Sequence, residues 1–302
     1  MRQIGALAAD HLSVGLVDSG KAVGAVRRYP AERHQPSLQT MPAETIAATV
    51  LNEIEIVGRG EAIQAIGVGF PGIIRDGVIE DSPNLQQAKG FNMARALGSA
   101  LGEGGHRVPV MIFNDADVMA AGIAATRGQL DKIIRVWTLG NGIGFGRYPL
   151  AEGIWEGGHT VVTLDPKERF CGCGGVGHLE GFMGHRAMRR RFLDMEPEEI
   201  FENAKAGDER CAEFVTLWHR ALAAATATSV HLDGPGKFFI TGPNARFIDL
   251  ATLDGVLHEM VKMSPLQGSL FETISTSDEI GVIGAAVNAA FVAGETRAWD
   301  AL

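Results

Sequence analysis

A cluster of cysteine, histidine and glycine residues between positions 156 and 180 constrains the local fold of this chain more than any other stretch. Cys171 and Cys173 are separated by one residue, and His178 follows the second cysteine by five positions. His159 lies upstream and completes a set of donors that tetrahedral zinc accepts. Glycines in this stretch permit the positive φ angles of a tight metal loop. The spacing predicts a structural zinc site, although two cysteines and two histidines can also share a loop by chance.

Composition limits the classes of protein to which the chain can belong. Its 302 residues exceed one ordinary hydrophobic core, so we expect two lobes. A formal net charge of -9 and a pI near 5.5 argue against a nucleic-acid groove. We find no run close to the roughly 20 apolar residues that span a bilayer. With three cysteines in all, and Cys211 in an apolar helical pattern typical of a core, we expect a cytoplasmic protein without membrane or nucleic-acid partners.

Strand and helix patterns alternate along the chain. Short strands are predicted at residues 4–9 and 12–18, and helical spacing is predicted at 43–57 and 179–195. A further helix runs from Pro197 to residue 206, since proline is tolerated in a first helical turn. The closing helix, 279–292, contains the small residues Gly284, Ala285 and Ala286, which permit close approach of another element. The alternation predicts an α/β fold with two lobes around a cleft.

A group of polar residues follows the predicted strand at 108–113. Asn114, Asp115 and Asp117 lie between this strand and a helix of small residues, where α/β sheets place their ligands. Asp115 is the first candidate for chemistry, because a carboxylate within hydrogen-bond reach can accept a proton from a substrate hydroxyl. A carboxylate at a helix start is also an ordinary N-cap. The pattern alone leaves both interpretations open.

Glycines alternate with other residues after the predicted strand at 133–139. Gly140, Gly142 and Gly144, with Asn141 between them, can expose backbone N–H groups to a phosphate. The run lacks the Gly-Lys-Ser/Thr of a P-loop, and a glycine-rich hairpin without a ligand fits it equally well. Asn84, in a predicted loop, can bind a ligand or cap a turn, and the local pattern favours the cap.

Several of these segments resemble, in one order along the chain, the motifs of the ROK family of repressors, open reading frames and sugar kinases, in the actin-like ATPase superfamily. Residues 171–180 resemble its Cys-x-Cys-Gly-x-x-Gly-Cys-x-Glu signature, with His178 in place of the third cysteine. Residues 156–159 resemble its Gly-Glu-x-Gly-His segment, and residues 114–116 its Asn-Asp-Ala motif. Four further segments fall in the expected order: 70–72, 83–85, 138–144 and 281–286.

The resemblance implies a fold and an activity. The fold would be a two-lobed actin-like ATPase (ribonuclease H-like) α/β fold with a ligand cleft between the lobes. Residues 1–114 and about 287–302 would form a small lobe, and residues 115–286 a large lobe that carries the zinc loop. The activity would be that of an ATP-dependent, glucokinase-like hexose kinase, and the assembly a homodimer or homotetramer.

The resemblance also implies roles for particular residues. Asp115 would be the catalytic base, and zinc would fix His159 and carry Glu180 into place. The metal ligands would be His159, Cys171, Cys173 and His178. The sugar would contact Asn84, Asn114, Asp115, Glu156, His159 and Glu180. ATP and Mg²⁺ would contact Asp10, Gly140, Asn141, Gly142, Gly144 and Gly242.

One departure from the family pattern affects the nucleotide side. Kinases of the family carry Asp-x-Gly-Gly-Thr between their first two strands, whereas residues 8–13 here contain no glycine pair. Asp10 could still orient Mg²⁺ through water, but Pro243 next to Gly242 removes a backbone donor. Sugar recognition is therefore better preserved than nucleotide recognition. The alternatives are a catalytically impaired sugar-binding or regulatory protein without the first phosphate loop, and a kinase that uses polyphosphate as donor.

Overall fold

The computed structural model describes residues 2–31, 36–101, 108–151 and 153–294, and they form the predicted α/β fold. The strands are β1 Arg2–Ala8, β2 Leu12–Asp18, β3 Lys21–Tyr29, β4 Ile63–Phe70, β5 Ile73–Arg75, β6 Val78–Asp81, β7 Val110–Asn114, β8 Ile134–Leu139, β9 Ile143–Tyr148, β10 Lys237–Thr241 and β11 Leu270–Thr273. The α-helices are α1 Ala43–Gly58, α2 Met93–Leu101, α3 Asp115–Thr126, α4 Glu180–Met183, α5 His185–Arg191, α6 Pro197–Ala206, α7 Glu209–Asp233, α8 Leu250–Met260 and α9 Asp278–Val292.

The described residues divide into two compact units. The first unit falls within Met1–Ile134, Gly146–Ile154 and Ser277–Leu302. Its five-stranded sheet has the order β3-β2-β1-β4-β7, in which β1 pairs antiparallel with β2 and parallel with β4. Strand β4 in turn pairs parallel with β7, so that β4 and β7 end at the same edge of the sheet. That edge places Asn114 at the end of β7 and Asp115 at the start of α3.

The second unit comprises Arg135–Phe145 and Trp155–Thr276. Its four-stranded sheet has the order β11-β10-β8-β9, and β10 pairs parallel with both β8 and β11. The 25-residue helix α7 supplies much of its core, and Cys211 on that helix is fully buried there, as predicted.

Helix α9 packs closely on its neighbours in the first unit because glycines stand at the contacts. A Cβ at Gly284 would lie 1.7 Å from the carbonyl oxygen of Val118 on α3. A Cβ at Gly122 of α3 would lie 1.9 Å from the carbonyl oxygen of Ile280, and one at Gly67 of β4 would lie 1.9 Å from that of Ala285. The predicted close approach at the small residues of the closing helix is therefore confirmed.

The packing of α3 against α9 also explains why the first unit is larger than the small lobe predicted from the sequence. The sequence predicts a small lobe that ends at residue 114 and resumes near 287, whereas the first unit also includes α3 and the whole of α9. Because α3 and α9 pack through glycine contacts, they belong to one core. The predicted tail at 295–302 lies outside the described residues.

The predicted continuous helix at 179–195 is wrong. Helix α4 ends at Met183, and Gly184 adopts an extended conformation with φ -64° and ψ 136°. The break lets the N–H of His185 donate to the carbonyl oxygen of Gly140 at 2.9 Å. A tertiary hydrogen bond therefore replaces helix continuation at this point. Within the described residues, no helix is long and apolar enough to cross a membrane.

Candidate functional site

The predicted metal ligands lie on a loop that is folded by its own backbone hydrogen bonds. Residues Gly157–His159 form a short 3-10 helix, and Val161 forms an isolated β-bridge with His178. The N–H of Leu179 donates to the carbonyl oxygen of Thr160 at 2.9 Å. These contacts bring the imidazole rings of His159 and His178 to a centroid distance of 5.1 Å.

Two glycines of this loop have no room for a side chain. Gly177 has φ +71°, and a Cβ there would lie 2.0 Å from the carbonyl oxygen of Thr163. A Cβ at Gly175 would lie 2.0 Å from the ring of His178. Glycine is therefore required here both for conformation and for the close approach of the imidazole.

The four predicted ligands converge. One donor atom from each of His159, Cys171, Cys173 and His178 lies within 4.8 Å of the others. The Sγ atoms of the two cysteines are 3.3 Å apart, and Cys173 Sγ is 3.2 Å from His178 Nδ1. Tetrahedral zinc, with bonds of about 2.0 Å to nitrogen and 2.3 Å to sulfur, separates its ligand atoms by roughly 3.3–3.8 Å. The donor set and its spacing therefore fit a zinc ion.

The surroundings shift the pKa values of two of these groups. Burial lowers the pKa of His178, and the neighbouring His159 lowers it further, which favours the neutral imidazole that metals bind. Burial raises the pKa of the Cys171 thiol to about 12. A bound dication would reverse this preference, because a coordinating thiol is deprotonated.

Arg191 anchors the loop and was missed by the sequence analysis. Its guanidinium group donates to both carboxylate oxygens of Glu168 and to the carbonyl oxygen of Gly181. It also lies 4.1 Å from the centroid of the Phe170 ring. Glu168 in turn accepts, at its backbone oxygen, the N–H of Gly177 at 2.7 Å. Arg191 thus links helix α5 to the metal loop, a contact that only the tertiary fold reveals.

Two carboxylates lie beside the four donors. Glu180 is the first residue of α4, and its Oε1 is 3.5 Å from Cys171 Sγ. Its Oε2 accepts the N–H of Ile143 at 3.1 Å. The Oε2 atom of Glu156 lies 3.5 Å from His159 Nδ1. Two of the three predicted sugar-binding carboxylates therefore lie beside the predicted metal ligands.

The glycine run forms the turn between β8 and β9. The N–H of Gly140 donates to the carbonyl oxygen of Gly142 at 3.0 Å, and Asn141 at the tip is exposed. Gly144 lies in β9. The predicted nucleoside-side turn contains Gly242, with φ +98°, where a Cβ would lie 2.4 Å from the carbonyl oxygen of Leu139. Gly242 is therefore fixed by its approach to the end of β8.

In the first unit, Asn114 rather than Asp115 caps helix α3. The side-chain oxygen of Asn114 accepts the N–H groups of Ala116 and Asp117 at 2.8 and 3.3 Å. Its amide donates to the carbonyl oxygen of Gly72 at 2.9 Å. Asp115 is the first residue of the helix, half-buried, with Oδ1 accepting the Ala116 N–H at 2.9 Å. The N-cap interpretation of Asp115 is therefore wrong. The Asn114 side chain caps the helix with its oxygen and bonds to the Gly72 backbone with its amide.

Asp117 is a second carboxylate on α3 to which the sequence analysis assigned no role. Its Oδ1 accepts the N–H of Arg147 on β9 at 2.9 Å. Burial raises the pKa of its carboxyl group to about 6, although the Arg147 N–H and guanidinium act in the opposite direction. In the sequence, only its position two residues after Asp115 indicates that Asp117 lies near the candidate site.

The turn between β1 and β2 is closed by a backbone hydrogen bond and is tied to helix α9 by side chains. The N–H of Ala9 donates to the carbonyl oxygen of His11 at 2.8 Å, and Asp10 is exposed. His11 Nε2 lies 2.8 Å from Asp278 Oδ2 at the start of α9, and Ser13 Oγ donates to the same oxygen at 2.9 Å. The hydrogen bond from His11 is the main cause that lowers the pKa of the Asp278 carboxyl group.

Asn84 does not provide the turn cap that the local pattern favours. The N–H of Leu85 donates instead to Ser82 Oγ at 3.2 Å, and Ser82 is fully buried. The Asn84 residue is exposed in the loop that precedes a 3-10 helix at Gln86–Ala88.

Comparisons with known proteins agree with these motifs. Residues 7–290 match the sequence model of the ROK family. A glucokinase from Pyrobaculum calidifontis is 30% identical over 255 residues, which cover 78% of this chain and 81% of that protein.

Solved structures show the same fold. A ROK hexokinase from Thermus thermophilus superposes with a TM-score of 0.80 at 25% identity, covering 98% of this chain and 100% of the other. A ROK family glucokinase from Streptomyces griseus, solved in complex with glucose and AMPPNP, has a TM-score of 0.70 at 21% identity and covers 96% and 100% of the two chains. The fold is thus that of the two-lobed actin-like ATPases, and the chain belongs to the ROK family.

Proposed function

We propose that the protein is an ATP-dependent hexose kinase in which a structural zinc ion orders the sugar-binding residues. The observation that carries the proposal is the convergence of His159, Cys171, Cys173 and His178 within 4.8 Å, with Glu180 in contact with Cys171. Relatives named glucokinase and hexokinase support the kinase class.

Three residues of the second unit would bind hydroxyl groups of the sugar. His159 and the carboxylates Glu156 and Glu180 offer acceptors and a donor that can bind several hydroxyl groups at once. The zinc ion, when bound, would hold the loop in one conformation. Asn84 and Asn114 would add amide contacts, and Asn114 can use the second N–H of its amide because the bond to Gly72 needs only one.

Asp115 would act as the general base. As the sugar hydroxyl oxygen forms a bond to the γ-phosphorus of ATP, its proton would pass to the Asp115 carboxylate. The bond from the γ-phosphorus to the bridging oxygen would break, and ADP would leave with that electron pair. Asp115 suits this role because Asn114 already caps helix α3.

The glycine run would hold the phosphates of the donor. Gly140, Asn141, Gly142 and Gly144 would contact the phosphates, and Gly242 would border the nucleoside. Mg²⁺ would offset the phosphate charge, with Asp10 orienting it through water. Catalysis would then consist of positioning and electrostatic stabilisation.

One observation favours a second candidate function. The β1–β2 turn contains no glycine pair, and His11 and Ser13 both bond to Asp278. A turn closed in this way favours a sugar-binding regulatory protein that has lost its first phosphate loop.

Calorimetric titration with ATP-Mg and ADP-Mg, with and without a panel of hexoses, separates the two functions. The kinase predicts nucleotide binding that a hexose strengthens, together with formation of a sugar phosphate. Sugar binding without nucleotide binding or turnover would overturn the ATP-dependent kinase and leave the regulatory protein and the polyphosphate-dependent kinase.

A further inference from the structure

Glu180 connects two parts of the second unit that have separate proposed roles. One carboxylate oxygen contacts Cys171 Sγ at 3.5 Å, and the other accepts the N–H of Ile143 at 3.1 Å. Cys171 belongs to the metal loop, whereas Ile143 is the first residue of β9, directly after the glycine turn. The Glu180 side chain thus connects a proposed metal ligand with the glycine turn between β8 and β9.

The fit between Glu180 and this hairpin is close. A Cβ at Gly142 would lie 2.7 Å from Glu180 Oε2, so glycine at this position allows the carboxylate to reach the Ile143 N–H. A Cβ at Gly184, which ends α4, would lie 3.0 Å from the backbone oxygen of Asn141. The side chain and the helix end therefore both pack against the turn.

Further hydrogen bonds hold the same turn to the residues that follow Glu180. The carbonyl oxygen of Gly140 accepts the N–H of His185 at 2.9 Å and the amide of Asn244 at 3.2 Å. The Asn244 amide also donates to the carbonyl oxygen of Met183 at 3.3 Å, and Asn244 is fully buried. Helix α4 and the glycine turn are thus held together by several hydrogen bonds. Among these described contacts, that of the Glu180 side chain also extends to the metal loop.

We infer that Glu180 is a positioning residue that couples metal binding at the Cys/His cluster to the order of the 140–143 turn. Metal binding removes the thiol proton through which Cys171 contacts Glu180. Repulsion between the fixed thiolate and Glu180 Oε1 then restricts the carboxylate, whose other oxygen accepts the Ile143 N–H. The coupling is reciprocal, so a phosphate donor that orders the turn raises the affinity of the cluster for zinc by the same factor. This inference rests on the proposed zinc site but not on kinase activity.

Hydrogen–deuterium exchange of the peptide that contains residues 140–145 tests the coupling without any substrate. Adding zinc to metal-free protein should slow exchange of the Ile143 amide by about tenfold, within the usual range of coupling between sites. In Glu180→Ala the protein should still bind zinc, because Glu180 is not one of the four donors, but the zinc effect on the turn should fall below about twofold.

Three further variants distinguish the bridge from a general loss of structure. Glu180→Gln keeps an acceptor oxygen for the Ile143 N–H and should retain the zinc effect. Gly142→Ala places a Cβ against Glu180 Oε2 and should lose the effect while leaving the metal loop intact. Asp165→Ala removes an exposed carboxylate of the metal loop that bonds only locally to the Lys167 N–H, and should behave as wild type.

The outcomes separate this inference from the proposed zinc site. Wild-type protein that binds zinc without slower exchange at the turn overturns the coupling alone. Equal slowing in wild type and Glu180→Ala, or in wild type and Gly142→Ala, also overturns it. Wild-type protein that binds no zinc overturns the zinc site and the coupling together.

Discussion

The metal loop at 157–179 and the β1–β2 turn differ in what their polar side chains do. In the loop, four donor atoms converge within 4.8 Å at a spacing that suits a cation. In the turn, His11 and Ser13 both bond to Asp278, so the polar groups satisfy one another. The loop has the features of a ligand site, whereas His11 and Ser13 are bonded to helix α9. The comparison favours a protein whose proposed sugar-binding residues match the family pattern better than its proposed phosphate-binding residues do.

The largest effect is expected at Asp115, because general base catalysis typically contributes about 10²–10⁴-fold to the rate. Asp115→Asn should lower kcat by a factor in this range and leave the thermal stabilisation by sugar nearly unchanged. Coupled assay of sugar phosphate and thermal unfolding with sugar measure the two effects. Asp131→Asn, an exposed carboxylate beside Lys132, is the matched control. Comparable turnover in Asp115→Asn would rule out the role.

The next effect concerns the metal loop itself. Cys173→Ser should reduce the zinc content from about one ion per chain to near zero, because serine is a poor zinc ligand. Elemental analysis of the purified protein measures the content. Cys211→Ala, which changes the third cysteine in the core of the second unit, should keep the full zinc content. Loss of zinc in Cys211→Ala but not in Cys173→Ser would contradict the assignment of ligands.

A smaller effect is expected at Asp117. Its folded pKa, raised to about 6, means that the folded chain holds more protons than the unfolded chain between about pH 4 and 6, so this carboxyl lowers stability as the pH rises through that window. Asp117→Asn keeps an acceptor for the Arg147 N–H and removes the charge. The variant should be more stable than wild type by at most about 3 kcal/mol at pH 7.5 and by much less at pH 4.

Urea unfolding at the two pH values measures the Asp117 effect. Asp131→Asn again serves as the control, and its stability relative to wild type should not change across this window. A difference between Asp117→Asn and wild type that is the same at both pH values would exclude the buried charge as its cause.

The smallest effect is expected at the β1–β2 turn. The pKa of Asp278 is lowered mainly by His11, so this pair stabilises the fold above the unfolded pKa of about 3.9 and loses that contribution as the pH falls through the folded value. His11→Ala should cost less than about 1 kcal/mol at pH 6 because both side chains are partly exposed. Thermal unfolding from pH 2 to pH 6 measures it, with His231→Ala, at the end of α7, as control.

The same variant sharpens the comparison between the two regions. If the turn does not hold the phosphates, the ATP-Mg affinity of His11→Ala should stay within about twofold of wild type. A tenfold loss would correspond to about 1.4 kcal/mol of binding free energy. A large loss of ATP-Mg affinity would show that the turn is part of the nucleotide site and would break the contrast.

The convergence of the four candidate metal ligands could be predicted because its determinants are mostly local in sequence. Cys171, Cys173 and His178 fall within eight residues, and Gly175 and Gly177 between them have no room for a side chain. The small residues of α9 were likewise sufficient to predict close packing. In both cases the residue types themselves carry the physical reason for the structure.

The remaining features depend on partners far away in the chain. His11 and Asp278 are separated by 267 positions, and nothing in either local pattern indicates that they bond. The break at Gly184 depends on the carbonyl oxygen of Gly140, so helical periodicity alone predicts a continuous helix. Strand β3 was missed because it is mostly exposed and lacks a buried apolar pattern.

Zinc removal tests the central claim, that a bound metal orders the sugar-binding residues, most directly. Sugar affinity should be measured by calorimetry on the purified protein, after chelation, and after zinc is restored. The account predicts about one zinc ion per chain, a fall in sugar affinity of about 10- to 100-fold on chelation, and recovery on adding zinc. A metal-free preparation that binds sugar as tightly as the original would contradict it.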